Sequence, residues 1–400
     1  MITRALIEKI FEAASMQRWN DQIRPVELVE LDKQAHKMII AYVLGKFEEG
    51  QKDFDWVQII EGGFFEFLQR LILTDLKPPI FHRIKKHPTH YRKLNEWIYL
   101  QLKPKITPLG REFCQRFRSH FLEPDEKNLN QRILNAAHFY ASRWEFNIIE
   151  RANPGGFEID EIRQDLDTKL EEYNDLKGIS KLYLQTNIRN FVDLCGQLRF
   201  QYRWSHVPRT PKTSVLGHML IVAILAYLFS GEIHACRKRS INNYFTGLFH
   251  DLPEVLTRDI ISPVKRSVSG LDKLIKQYES EQMKKVVYRL IPSKWHSEIK
   301  MFTEDEFKSI ITLDKKIVTK KSEVINRLYN EDRYNPRDGE IIKAIDNLTA
   351  YLEAYLSINN GLKNYQLTEA KDNIFKKYTE LEPKIAGIDF SSLYADFKQE

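Results

Sequence analysis

Cysteine is scarce in this chain of 400 residues, which contains only Cys114, Cys195 and Cys236. The three lie far apart, are odd in number and never form a C-x-x-C pair. This pattern does not suggest a disulfide framework or a thiolate metal site, because both usually show cysteines in paired or closely spaced sets. So few thiols suit a reducing compartment, and we expect a cytoplasmic protein.

A long uninterrupted apolar run is also lacking. The amino-terminal stretch MITRALIEKIFEAASMQRW carries Glu8 and Glu12 inside its apolar pattern, unlike the hydrophobic region of a signal peptide. The longest apolar run, MLIVAILAYLFSG, is shorter than the roughly 20 residues that cross a bilayer. We therefore expect no membrane association.

Neither sign of charge dominates the sequence. The chain has 61 Lys and Arg against 55 Asp and Glu, a net charge of +6. This mild excess favours small anionic ligands without indicating nucleic acid. The densest basic stretch, FHRIKKHPTHYRK at 81–93, is typical of a solvated loop, and we do not expect it to bind nucleic acid.

Strand-like alternation is scarce, whereas apolar residues recur at helical spacing through most of the chain. One example is the series Ile221, Val222, Leu225 and Leu228. Hydrophobic residues make up 42% of the chain, which is enough for a large core. The pattern predicts an all-α fold interrupted at segments rich in Pro and Gly.

Two parts of the chain resemble each other. The tetrapeptide MQRW ends at Trp19 and QYRW ends at Trp204, and each precedes a predicted helix carrying His36 or His218. Further along, GFFEFLQRLILTDLKPPI (63–80) aligns with GLFHDLPEVLTRDIISPV (247–264).

The alignment continues in a third segment. AAHFYASRWEFNIIERANPGGF (136–157) aligns with AIDNLTAYLEAYLSINNGLKNY (344–365) without a gap, pairing Glu145 with Glu353. A chance likeness between amphipathic helices is the alternative, but helical periodicity alone does not produce the shared Arg-Trp pair or Pro turn. We predict a tandem duplication, with one helical domain at 1–180 and another at 181–400.

Polar residues at inward positions mark the second domain. His218 has Ile221, Val222 and Leu225 on its own helical face, so its ring points towards the core. His250 and Asp251 close an apolar run, and Glu254 follows where Pro253 favours the start of a new helix.

Asp346 also lies on the less polar side of its helix. A single inward histidine is more often a hydrogen-bonded core residue, but two imidazoles and two carboxylates together suit a divalent metal. Such a donor set accepts Mn²⁺, Fe²⁺, Co²⁺, Ni²⁺ or Zn²⁺.

These segments together resemble the HD-domain phosphohydrolases, and within them the bacterial HD-domain 5′-deoxynucleotidases most closely. The resemblance is carried by RW at 203 and 204, SVLGH ending at His218, FHDLPEVLTRDIISPVK and AIDNLTAYLEAYL. It implies two tandem HD-type helical bundles, of which the second is an active phosphohydrolase domain. Within that domain it assigns one divalent metal to His218, His250, Asp251 and Asp346.

The resemblance also implies roles around the metal. Glu254 would manage protons beside Asp251, and Arg203, Trp204 and Asp259 would face the nucleotide. Lys265 would add positive charge, or would equally be a solvated lysine after a proline turn. Gly217 and Arg258 depart from the residues common in relatives, which leaves substrate identity open.

The first domain lacks these functional residues. The aligned positions hold His36, Glu66, Phe67, Arg70 and His138, and Phe67 cannot ligate a metal. We interpret this domain as a degenerate HD-like unit that packs on the active one and replaces a second subunit. A regulatory nucleotide pocket retaining Arg18 and Trp19 is the alternative.

The sequence therefore predicts a metal-dependent phosphohydrolase that acts on nucleotides, and more narrowly a 5′-nucleotidase for (deoxy)nucleoside monophosphates. The alternatives are hydrolysis of phosphodiesters or nucleoside triphosphates, or a nucleotide-binding regulator without turnover. We expect a small-molecule nucleotide as the ligand, and either a homo-oligomer or an intramolecular pseudo-dimer.

Overall fold

The computed structural model describes residues 2–74, 76–125, 127–258 and 268–398. It divides into two compact units, Met1–Ser180 and Lys181–Glu400. Two residues predicted to face the substrate, Asp259 and Lys265, lie outside the described residues.

Unit 1 is helical. Its helices are α1 Arg4–Phe11, α2 Glu30–Glu48, α3 Trp56–Leu73, α4 Pro78–Lys85, α5 Pro88–Ile106, α6 Arg111–Leu122, α7 Leu129–Ala152 and α8 Ile159–Glu171, with α9 Lys177–Leu184 at its end. The central helix α2 packs on α7 and α3. Trp19 packs against a core cluster that includes Leu28 and Phe146.

Unit 2 is built mostly from helices as well. They are α10 Thr186–Gly196, α11 Val215–Glu232, α12 Arg237–Phe249, α13 Glu254–Thr257, α14 Leu271–Gln282, α15 Tyr288–Leu290, α16 His296–Thr303, α17 Ser322–Leu328, α18 Gly339–Asn359, α19 Tyr365–Lys376 and α20 Phe390–Asp396. Short 3₁₀ or π segments lie at Glu12–Ala14, Thr107–Leu109, Gln197–Phe200, Met283–Val287, Ser293–Trp295, Asp332–Tyr334 and Lys377–Leu381. Helix α11 packs on both α12 and α18.

The predicted mostly helical fold is confirmed, but unit 2 also contains two small antiparallel hairpins. Strands β1 Ile310–Leu313 and β2 Lys316–Thr319 pair through Asp314 and Lys315, which both have positive φ as a tight hairpin turn requires. Strands β3 Lys384–Ile385 and β4 Ile388–Asp389 pair in the same way. The sequence analysis missed them because runs of two to four residues are too short for alternation to stand out.

Helix α11 corrects the expectation about membrane spans. Its 18 residues have a mean hydropathy of 1.7, so this helix is long and apolar enough to cross a membrane. However, 83% of it is buried inside the protein. A helix that is apolar on all sides and enclosed in this way is typical of the core of a globular domain.

The crossing of α11 and α12 is unusually close at Gly247. A Cβ atom added there would lie 2.7 Å from the Ala223 Cα and backbone nitrogen atoms, which are part of the facing helix. Only glycine permits this approach. The same contact sets the spacing between His218 on α11 and His250 at the end of α12, whose ring centroids are 5.4 Å apart.

Gly247→Ala should therefore lower the free energy of unfolding by about 1–3 kcal/mol, because the two helices must separate to admit a methyl group. The matched control is Gly231→Ala, since Gly231 is helical and exposed and has no atom within 4 Å of an added Cβ. That change should be neutral or stabilising by up to about 1 kcal/mol. Urea denaturation measures both, and equal effects would contradict the close crossing.

Candidate metal centre

The four residues assigned to a metal come from three helices. His218 lies in the first turn of α11, whose start is capped by Ser214 Oγ accepting a hydrogen bond from the Gly217 amide. Helix α12 ends at Phe249, so that His250 and Asp251 form the turn that leaves it. Asp346 lies in α18.

These side chains meet at one point. The nearest ligand atoms of His218, His250 and Asp346 all lie within 4.8 Å of one another. His218 Nε2 is 3.1 Å from Asp346 Oδ1, while Asp251 Oδ2 is 3.2 Å from His250 Nε2 and 3.7 Å from His218 Nε2. The two imidazoles are fully buried, whereas the side chains of Asp251 and Asp346 are 17% and 15% exposed, so the site opens on its carboxylate side.

The hydrogen bonds of the two histidines fit a bound cation. His250 Nδ1 lies 2.8 Å from the Gly247 carbonyl, to which it must donate, so Nε2 is the nitrogen that can ligate a metal. That Nε2 atom is buried and faces Asp251 Oδ2 at 3.2 Å, while Nδ1 of His218 is buried without a hydrogen-bond partner. A divalent cation would replace the proton on Nε2, and two imidazoles with two carboxylates are a suitable donor set.

The electrostatics keep both candidate carboxylate ligands ionised. Burial raises the pKa of Asp251, but His250, His218 and Arg203 outweigh burial and hold this pKa below its usual range. For Asp346, burial is likewise outweighed by Lys343 and His218, and its pKa lies well below the ordinary value. Burial lowers the pKa of His250, yet Asp251 raises it to about 9. Both carboxylates are therefore ionised at neutral pH.

Glu353 holds together one side of the site, the Arg-Trp-Glu wall formed in unit 2 by Arg203, Trp204 and Glu353. Its Oε2 accepts hydrogen bonds from Trp204 Nε1 at 2.8 Å and Arg203 Nε at 3.2 Å, and its Oε1 accepts one from Thr213 Oγ1 at 2.6 Å. Burial raises the pKa of Glu353, but Arg203 and Arg209 outweigh burial and lower it to about 2. Arg203 is thereby held with Nη1 3.6 Å from Asp251 Oδ2.

Sequence reasoning did not assign a function to Glu353, although the alignment of Glu145 with Glu353 was the signal for it. It also missed Lys343, whose Nζ lies 2.9 Å from Asp346 Oδ2 and 4.1 Å from the centre of the Phe307 ring. The i,i+3 spacing of Lys343 and Asp346 on one helix could have indicated this contact.

Glu254 begins helix α13, as the preceding proline favoured. Its side chain is buried, and its amide donates to the Asp251 carbonyl at 3.0 Å. Arg258 has a φ of 65° and so adopts a backbone conformation that favours glycine. Trp204 is tied to Glu353 and packs beside Val207, which leaves only part of its ring accessible.

Residues 195–375 match the family model described as the HD domain. The match includes all four predicted ligands and supports the predicted HD-domain superfamily for this part of the chain. HD domains are generally metal-dependent hydrolases, and the cluster of His218, His250 and Asp346 is the site that could hold the ion here. No curated protein and no solved structure matches the chain.

Unit 1 contains an equivalent Arg-Trp-Glu wall, formed by Arg18, Trp19 and Glu145, but not the cluster of metal-ligating side chains. Glu145 Oε2 accepts hydrogen bonds from Arg18 Nε at 2.8 Å and Trp19 Nε1 at 2.9 Å. Trp19 and Trp204 both have positive φ, of 55° and 58°. An isolated bridge joins Gln17 to Val29 just before α2, and the same bridge joins Tyr202 to Ser214 just before α11.

This register corrects the predicted match of His36 with His218. Counting four residues from Val29 and from Ser214 places Lys33, not His36, at the position of His218. His36 instead meets the Trp144 ring edge-on, with centroids 4.9 Å apart. The sequence alignment failed here because it followed identical residue types, whereas the bridge before the helix sets the register.

Lysines fill the centre of unit 1. Lys33 Nζ lies 2.6 Å from His138 Nδ1, and Lys37 Nζ hydrogen-bonds Glu66. Phe67, aligned with Asp251, is buried. Within the described part of unit 1 no three His, Cys, Asp or Glu side chains converge as a metal site.

We expect one divalent metal per chain, held by unit 2. Elemental analysis after dialysis should find one equivalent in the parent protein and less than a tenth of that in Asp346→Asn and His250→Ala, because each change removes a ligand. His87→Ala, which removes an exposed histidine of unit 1, is the control and should keep the metal. Two equivalents, or full occupancy in both ligand variants, would refute the assignment.

Proposed function

We propose that unit 2 is a metal-dependent phosphohydrolase that acts on nucleotides, and specifically a 5′-nucleotidase for (deoxy)nucleoside monophosphates. The observation that carries this proposal is the guanidinium of Arg203, fixed by Glu353 beside the candidate metal ligands. A planar guanidinium with several N–H donors matches phosphate oxygens. The positive charge of Arg203 beside the candidate metal ligands would attract the negatively charged phosphate group of an ester.

His218, His250, Asp251 and Asp346 would hold the ion. A divalent cation in this position would neutralise phosphoryl charge and lower the pKa of water. The protein's own groups supply the remaining functions. Arg203 binds and orients the phosphate, and the buried carboxylate of Glu254 takes up or delivers a proton during cleavage of the ester. Lys343, with its side chain 42% exposed at the rim, adds a second cation.

We also propose that the chain arose by duplication and that unit 1 is the copy that lost its metal. The shared Arg-Trp-Glu wall, the equivalent bridges and the positive φ at both tryptophans support this relation. These features lie in loops and at buried polar contacts, so they do not follow from a common helical pattern. The active centre would then lie wholly in unit 2.

The test is a panel of phosphate esters assayed with purified protein and added Mn²⁺, Co²⁺ or Zn²⁺. Deoxynucleoside monophosphates should release inorganic phosphate. Preferred release from triphosphates or diesters would place the protein with another HD activity. Tight nucleotide binding without hydrolysis under any metal would instead indicate a regulator.

Two substitutions should separate the roles at this site. Glu254→Gln should keep metal and nucleotide binding but lower kcat at least about 100-fold, because it removes a proton-transfer group. Arg203→Ala should raise KM at least tenfold and also lower kcat, because a phosphate contact acts in both the ground state and the transition state.

Exposed residues of unit 2 provide matched controls. Glu369→Gln and Arg333→Ala change the same residue types at exposed positions and should leave kcat and KM within a factor of two. Steady-state kinetics with metal analysis of each variant measure the outcome. Full kcat in Glu254→Gln would remove that residue from the mechanism.

A further inference from the structure

The positive charge of the chain is concentrated in one segment of unit 1, which comprises helices α4 and α5 at 78–106. This segment contains seven Lys and Arg residues and one acidic residue, Glu96, so its net charge is +6. The whole chain also has a net charge of +6, and the rest of it has 54 basic and 54 acidic residues. The mild excess over 400 residues is therefore a dense local one.

The basic side chains of this segment lie at the protein surface. The stretch at 81–93, expected to form a solvated loop, instead spans the end of α4 and the start of α5. The exposed basic residues in it are Arg83, Lys85, Lys86, Arg92 and Lys93. Glu96 pairs with Arg92, and both of their side chains remain largely exposed. Because such an exposed pair is weak, the segment presents a strongly positive surface to solvent.

Large apolar side chains are exposed on the same two helices. Ile80 is 52% exposed, Trp97 is 47% exposed and Leu100 is 61% exposed. On α5, Leu94, Trp97 and Leu100 follow one another at three-residue spacing and so form one stripe along the helix. A different side of α5, which includes Ile98, is buried against the protein. Helix α5 therefore has a second apolar side that faces outwards.

A groove between α4 and α5 joins the apolar and the basic residues. It has a volume of about 380 Å³ and is lined by Ile80, Arg83, Ile84, His87, His90 and Leu94. Apolar groups and a guanidinium thus adjoin at one place. This combination fits an amphiphile that has an anionic head and an apolar body.

We propose that the surface formed by α4 and α5 binds the anionic headgroup region of a lipid membrane. The lysines and arginines would lie over the negative headgroups, and Trp97 and Leu100 would enter the interfacial layer, where tryptophan is favoured. The phosphates of a nucleic acid would match the charge but leave the apolar stripe exposed, so the stripe favours lipid.

Binding of this kind needs no helix that crosses the bilayer. The expectation of no membrane association rested on the lack of a spanning run and does not bear on it. The proposed surface lies in unit 1, and its function is independent of the hydrolase activity proposed for unit 2.

The test is co-sedimentation of the full chain with vesicles of phosphatidylcholine alone and of phosphatidylcholine with about one third phosphatidylserine. We expect at least about tenfold tighter binding to the anionic vesicles, and a loss of at least about tenfold when salt rises from about 0.1 M to about 0.5 M. Lys85→Glu with Lys86→Glu should weaken binding at least about tenfold. Trp97→Ala with Leu100→Ala should do the same without altering charge.

Helix α14 of unit 2 provides matched controls, because it also exposes two lysines and two large apolar residues but has three acidic residues as well. Lys273→Glu with Lys276→Glu, and Leu274→Ala with Tyr278→Ala, should keep full affinity. Equal binding to both kinds of vesicle, or equal losses in test and control variants, would overturn the proposal. Binding to a single-stranded RNA oligonucleotide without binding to vesicles would overturn it as well.

Discussion

A carboxylate buried in a helical core must be compensated by positive charge. Glu353 and Glu145 are both fully buried and each holds an Arg-Trp pair, so each unit fixes a guanidinium at the same place relative to its central helix. The remaining polar residues in each core depend on this arrangement. Without it, neither Arg203 in unit 2 nor Arg18 in unit 1 would be directed at the cluster beneath it.

The two units then meet the same electrostatic requirement with different cations. In unit 2, Asp251 and Asp346 converge with two histidines and offer oxygen and nitrogen donors to a metal ion. In unit 1, lysine side chains enter the corresponding space, and no divalent ion is needed for charge compensation. Under the duplication proposed above, the loss of a metal and the gain of buried lysines are two aspects of one change.

The helices and the candidate metal ligands could be predicted from the sequence, because apolar periodicity encodes the helices and the His-Asp pair lies in an apolar context. The hairpins were missed because they are short. The alignment of Lys33 with His218 was missed because residue identities do not reveal the bridge at Val29 that sets the start of the helix. The contact between Arg203 and Glu353 spans a sequence separation of 150 residues, which no local pattern reveals. Lys343 was overlooked because its importance comes from Phe307 and Asp346 together.

The central claim is that the metal belongs to unit 2 and that lysines take its place in unit 1. A crystal structure of protein grown with Mn²⁺, with diffraction data collected near the manganese absorption edge, tests this claim most directly. The account predicts a single anomalous peak per chain, from a manganese ion ligated by His218, His250, Asp251 and Asp346. A peak beside Glu66 and His138, or a metal held by other residues of unit 2, would contradict it.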